Sequence, residues 1–88
     1  MATTNPTLTD AWSKIVDDTS EFLVTLPFST NFSIEVAAMA TDVAPSGIRG
    51  HVLRAESLEG ISRALIGSGF IYARTLGGSA NVVLSAWT

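Results

Sequence analysis

Five short apolar stretches fill the chain, and each is cut off by proline, glycine or acidic residues before it reaches helical length. Runs of four to eight apolar or β-branched residues between turn formers are the pattern of strands. Over residues 32–39, Phe32, Ile34 and Val36 alternate with Ser33, Glu35 and Ala37, so successive side chains are dealt to opposite faces. The run of Ala37, Ala38 and Ala40 weakens the pattern near its end. Residues 21–26 set Phe22, Val24 and Leu26 against Leu23 and Thr25, and Pro27 ends that strand. Residues 70–76 divide Phe70, Tyr72 and Arg74 from Ile71, Ala73 and Thr75. Residues 12–16 and 51–55 read as shorter strands. Residues 80–87 read as the last, with Val82 and Leu84 opposite Val83 and Trp87.

The connections follow from the breakers. Gly77-Gly78 can take the positive dihedrals of a tight turn, so residues 70–76 and 80–87 are expected to close as a hairpin. Pro45 and Gly47 mark 42–50 as a loop. Residues 56–66 carry two signals. Leu58, Ile61 and Leu65 fit a helical stripe capped by Ser57, while Gly60 opposes a stable helix. Irregular strand and turn is the preferred reading there. Residues 1–8 are polar, contain Pro6, and read as a flexible N-terminal arm before a single β domain over 9–88. Six or seven strands in so short a chain predict an all-β fold. The expected form is a compact antiparallel β-sandwich or flattened barrel, jelly-roll-like.

Composition bears on what such a domain is for. Charged residues make up 15% of the chain, against roughly 25% in a usual soluble domain. Serine, threonine, alanine and glycine must therefore cover much of the surface, and such a surface is cheap to desolvate against a partner. A chain of this size buries roughly 60–65% of its extended surface. No cysteine is present to add a disulfide. Association can supply the missing stability, so a homo-oligomer or larger assembly is expected. The N-terminus shows no basic region followed by an apolar core, and no apolar run reaches spanning length. Neither a secretory signal nor a membrane partner is expected.

The net charge of −3 is divided unevenly. Asp10, Asp17, Asp18, Glu21, Glu35 and Asp42 face only Lys14 in the first half. Arg49, Arg54, Arg63 and Arg74 outnumber Glu56 and Glu59 in the second. Folding decides whether this asymmetry survives in space.

No constellation suggests a reaction. His51 is the sole histidine and lacks the further ligands a metal needs. Adjacent Asp17 and Asp18 suit a turn, where carboxylates accept backbone hydrogen bonds. Asp42 lies in no complete calcium loop. The glycines near Phe70 and Ser79 lack the lysine of a phosphate loop. The arginines are scattered in a net-negative chain, which disfavours nucleic acid. Asn31-Phe32-Ser33 formally matches a glycosylation acceptor, with no secretory signal beside it. No catalytic residue, cofactor or metal is therefore expected. Trp12, Tyr72 and Trp87 offer large contact area at small entropic cost, or fill the core. With Phe28 and Phe32 of the apolar LPFSTNF stretch, and Arg74, they form the candidate interface.

Three segments carry a resemblance: TLTDAWSKIVD at 7–17, GIRGHVLRAES at 47–57, and GSGFIYARTLGGSANVVLSAWT at 67–88. In order and character they resemble small virion proteins of tailed bacteriophages. Gly50-His51 and Tyr72-Ala73-Arg74 match a mid-chain Gly-His pair and a final aromatic-Ala-Arg element of such proteins. The alanine-rich 36–40 segment and LPFSTNF depart from the pattern. The resemblance implies a head decoration, fibre-attachment or head–tail component built from β-sandwich subunits, often trimeric. It further implies contacts with major capsid or other virion proteins, production in a bacterial cytoplasm, and no catalysis. A glycan- or host-binding module is the other binding class. It requires Trp12, Tyr72 or Trp87 in an exposed groove. A small enzyme would require a pocket joining His51 to at least two carboxylates.

Overall fold

A computed structural model of the protein describes residues 2–27, 32–54 and 60–87. Along them run β1 (Ala2–Thr4), β2 (Thr7–Leu8), β3 (Ser13–Val16), β4 (Glu21–Thr25), β5 (Ile34–Met39) and β6 (His51–Leu53). Then come β7 (Ile61–Ser62), a single helical turn α1 (Arg63–Ile66), β8 (Phe70–Thr75), β9 (Ala80–Asn81) and β10 (Val83–Trp87). The fold is all-β. One antiparallel sheet is ordered β1-β10-β4-β7 and the other β3-β8-β5-β6, while β2 pairs with β9. The thin dimension of the molecule is 19 Å, against 32 Å in the other two, as two stacked sheets require.

β1 and β2 act as one strand. Ala2↔Ala86, Thr3↔Ser85, Thr4↔Leu84, Thr7↔Asn81 and Leu8↔Ala80 all keep one register. The ladder is interrupted at Pro6, which has no N–H to donate. Val82 N–H still donates to Pro6 O at 3.1 Å. The Asn5 side-chain amide donates to Val82 O at 3.3 Å, in place of the absent proline N–H. Counting β1–β2 and β9–β10 as one strand each leaves eight, ordered 1-8-3-6 and 2-7-4-5 across the two sheets. Eight antiparallel strands wound in this order make a jelly roll. Beyond β2, Thr9 O accepts Thr75 N–H of β8 at 2.8 Å. The N-terminal strand thus passes from one sheet to the other and closes that side.

The inner faces meet in one apolar cluster. Phe22, Val24 and Leu84 come from the first sheet, and Ile34, Val36, Ile71 and Ala73 from the second. The alternation read in residues 21–26 holds, for Phe22 and Val24 are buried while Leu23 is exposed. The alternation in residues 70–76 also places Ile71, Ala73 and Thr75 inward.

Two expectations give way. Residues 2–8, read as part of a flexible arm, lie in the sheet as β1 and β2, and Leu8 belongs to the core. Thr3, Thr4, Asn5 and Thr7 are exposed, so this strand is held by its backbone and its composition hides its pairing. The hairpin expected across Gly77-Gly78 does not form, because β8 and β10 belong to different sheets. The turn is tight, with Gly78 at φ 80° and Thr75 Oγ1 donating to Gly78 O. However, Leu76 N–H bonds to Ser33 O rather than across the turn. Both flanking strands carry an apolar face, and arching between layers lets the two faces bury each other. In the 56–66 stretch, β7 leads into the one-turn α1; Ser57 and Leu58 lie outside the described residues.

Arg63 ties this end together. Its Nη1 donates to Gly69 O at 2.7 Å and to Gly67 O at 3.3 Å. Its Nη2 reaches Asp17 O at 2.9 Å, and both Nε and Nη2 reach Ser20 O. The guanidinium lies 5.2 Å from the Phe22 ring centroid. One planar fork therefore holds two turns that are distant in sequence, which a lysine ammonium cannot reproduce. Arg63→Ala is expected to cost roughly 1–3 kcal/mol, the range for hydrogen bonds to a charged donor. Arg63→Lys should recover less than half of that loss. Urea denaturation measures both, and an unchanged midpoint in Arg63→Ala would show that the fork contributes nothing.

Candidate functional site

The two sheets present outer faces of opposite character. On the β3-β8-β5-β6 sheet, register sets Lys14 opposite Tyr72, Tyr72 opposite Ala37, and Glu35 between Arg74 and Val52. Glu35 is fully buried on this outer side. Its Oε1 accepts from Arg74, at 2.8 Å from Nε and 2.7 Å from Nη2. Its Oε2 accepts from Arg49 Nε at 2.7 Å and from Gly50 N–H at 2.9 Å. A Cβ at position 50 would stand 2.5 Å from Val36 O, so the backbone approach to β5 needs glycine. Burial alone would raise the Glu35 pKa. The hydrogen bonds from Arg49, Gly50 and Arg74, with the charge of Arg49, outweigh it and bring the value down to about 2.

The remaining charges of this face are also satisfied within the chain. The Arg74 guanidinium lies 4.7 Å from the Trp12 ring centroid, within cation–π range. Asp42 accepts from Lys14 Nζ at 2.7 Å and from Tyr72 OH at 2.6 Å. The Lys14 bond, then the Tyr72 bond, hold the Asp42 carboxyl below its usual range. The same Asp42 bond pushes the Tyr72 phenol up. At the β3–β4 turn, Asp17 Oδ1 accepts from Thr19 N–H and Ser20 N–H, each at 3.1 Å, and from Thr19 Oγ1 at 3.0 Å. The bonds from Thr19 lead in lowering its pKa. Asp17 is therefore the turn acceptor its neighbourhood predicts.

The β1-β10-β4-β7 sheet turns a different face outward. Thr3, Ser85, Leu23 and Ser62 form one row across its four strands. Val83↔Thr25 and Trp87↔Glu21 flank that row. Of these eight side chains only Glu21 is charged. Leu23 is 42% exposed and Trp87 37% exposed, and Thr3 and Ser85 hydrogen-bond to each other at 2.8 Å.

The expected interface residues are thus divided. Trp12, Tyr72 and Arg74 gather on the charged sheet, but Tyr72 is buried and Trp12 is half-buried against Arg74. Phe32 is half-buried and packs against the core. Trp87 lies on the opposite sheet, and Phe28 falls outside the described residues. His51 is exposed at the start of β6, and the carboxylate nearest it in the ladder, Glu35, is committed to two arginines. Among the described residues, no group of three or more His, Cys, Asp or Glu side chains could hold a metal ion. Sequence reasoning passed over Glu35 with Arg49, and Leu23 with Ser62 and Ser85. The first pair is 14 residues apart and the Leu23 row spans four separate strands, so no local spacing marks either. Comparison with protein-family models, curated proteins and solved structures returned no match.

Glu35 sets an acid limit on the fold. Its folded pKa of about 2 lies below the ordinary 4.5, so the fold favours the charged form. That stabilisation is complete above the ordinary value and drains away as pH falls toward the folded one. Glu35→Gln is expected to lower Tm at pH 7 and to flatten the decline below pH 4.5 relative to the parent. Asp17 and Asp42 contribute to both proteins equally, so the difference between the two pH–Tm curves isolates Glu35. Parallel curves would refute the assignment.

Proposed function

We propose that this protein is a non-enzymatic structural subunit that uses its β1-β10-β4-β7 face to join a larger assembly. The setting implied by its resemblance to tailed-phage proteins is a virion, with capsid decoration or stabilisation as the role. The carrying observation is the outward face on which Glu21 is the single charge among eight side chains. Covering serine, threonine and valine around a half-exposed Leu23 strips little bound water, while Lys14, Asp42, Glu35 and Arg74 of the opposite sheet are engaged with one another. The jelly roll supports the setting by analogy only, since viral capsid domains and lectins share it.

Size favours repeated contact over a stable isolated pair. Strands roughly 4.8 Å apart with a rise of about 3.4 Å per residue give the face a plane of about 250 Å². A standard interface needs about 800 Å² on each partner. Each contact through this face alone is therefore weak, and repetition over a symmetric particle adds the contacts together. The resemblance implies a homotrimer as the repeating unit. A tail, neck or fibre position differs from shell decoration in copy number, not in chemistry. The glycan-binding reading loses its support from Tyr72 and Trp12, one buried on Asp42 and the other stacked against Arg74.

Quantitative mass spectrometry of particles purified from the source system tests the proposal. Hundreds of copies per particle fit shell decoration, a few to a few dozen fit a vertex, neck or tail place, and absence overturns the virion setting. Leu23→Lys is expected to cut occupancy about tenfold or more, the effect of some 1.4 kcal/mol at the contact. Its Tm should stay near the parent value because Leu23 points outward. Unchanged occupancy would remove this face from the assembly.

A further inference from the structure

At the far end of the charged sheet, an open groove of about 540 Å³ runs past the end of β6 and the residues flanking β5 and β8. Phe32, Val52 and Leu76 supply its apolar wall, and Ser33, Arg49 and Arg54 its polar one. Val52 and Leu76 are each 44% exposed.

Arg49 gives the groove its chemistry. Its Nε is spent on Glu35, a fully buried carboxylate that also holds Gly50 N–H, so the base of the guanidinium is fixed. Its side chain is nonetheless 74% exposed. Among the described residues no acceptor takes its two terminal nitrogens. One carboxylate between two guanidiniums leaves the cluster with one net positive charge. Arg74 directs its share at the Trp12 ring, and within the cluster Arg49 is the cation that lines the groove. An aimed, half-used guanidinium beside apolar side chains matches a carboxylate that carries apolar neighbours.

The backbone narrows the class of ligand. β6 is the last strand of its sheet among the described residues, and Val52 at its centre lines the groove. An edge strand offers unpaired N–H and C=O groups to an extended chain. We propose that this groove docks an extended acidic–apolar segment of a partner protein. An Asp or Glu carboxylate takes the Arg49 terminal nitrogens, and flanking apolar side chains cover Val52 and Leu76. The surface is separate from the Leu23 face, and the proposal stands whether or not that face joins an assembly.

The test is a ¹⁵N–¹H correlation titration of the whole chain with acetyl-Val-Glu-Leu-Glu-Val-amide. The glutamine analogue and sodium acetate serve as controls. Expected are saturable shifts confined to residues around Val52, Leu76 and Gly77, with binding at least tenfold weaker for the glutamine peptide. Arg49→Gln should weaken binding at least tenfold, and Val52→Ser several-fold. The serine variant changes an exposed side chain, so it keeps the test open if Arg49→Gln disturbs the Glu35 cluster. Leu23→Lys should bind like the parent, which separates this groove from the assembly face. Absence of saturable shifts at millimolar peptide, equal binding of the glutamine analogue, or an unaffected Val52→Ser would overturn the proposal. Acetate matching the peptide at equal concentration would reduce the site to a simple anion contact and overturn it as well.

Discussion

A charged carboxylate near the start of a central strand, shut away from water, constrains everything around it. Removing such a group from water is costly unless its acceptor positions are filled. Glu35 meets that condition with donors from three directions: Arg74 on the neighbouring strand, and Arg49 and Gly50 from the loop beyond β5. Leaving any one of them unmade would strand a buried charge. The loop that ends in Gly50 must therefore return to one place, and β6 enters the sheet from there. The close approach of Gly50 to Val36 O makes the same demand by sterics. A buried ion cluster of this kind is weak evidence for net stability. Its clearer effect is to exclude alternative arrangements of the 40–50 loop.

The same cluster accounts for the difference between the two outer faces. Arg74, Lys14, Asp42 and Tyr72 spend their polar groups inside the chain, and two of the cations lie near the Trp12 and Phe70 rings. On the opposite sheet the outward side chains of the aligned rows are small or apolar apart from Glu21, and Leu23 is 42% exposed. The uneven charge along the sequence thus becomes an uneven charge across the sandwich. The acids and bases are interleaved on one sheet, where Lys14 meets Asp42 and Glu35 meets Arg49 and Arg74. What survives is a contrast between a charged face and one nearly free of charge, rather than a division into acidic and basic halves.

How much of this could be read from the chain depends on whether the signal was local. Phe22, Val24, Ile71 and Ala73 advertise an inward face through a two-residue period, and that period belongs to each strand by itself. The strands and the fold class were legible for that reason. Pairing is not local. Gly77-Gly78 permits a tight turn in a hairpin or in an arch between sheets. The decision rests on β10 pairing with β4, some 60 residues earlier in the chain. The N-terminal strand was hidden by a related cause. An edge strand held by backbone hydrogen bonds needs few apolar side chains, so the polar segment before Leu8 resembles an arm. Pro6 reinforced that reading, although Asn5 supplies the hydrogen bond the proline cannot. The candidate sites were harder still, since a row such as Thr3, Ser85, Leu23 and Ser62 exists only once four strands are aligned.

The two proposed contact surfaces differ in chemistry. A contact through the proposed face, which carries almost no charge, would bury apolar and hydroxyl-bearing side chains, and added salt would leave it largely intact. A segment docked in the proposed groove would bind through a guanidinium charge that salt screens over about 8–10 Å at ordinary ionic strength. The two contacts therefore respond differently to the same change in solvent. A self-complementary face on its own closes pairs and stops. A groove that accepts a segment from a different protein does not close on itself. The proposed combination of a weak flat contact with an acidic segment docked in the groove would suit a subunit added to a pre-formed shell.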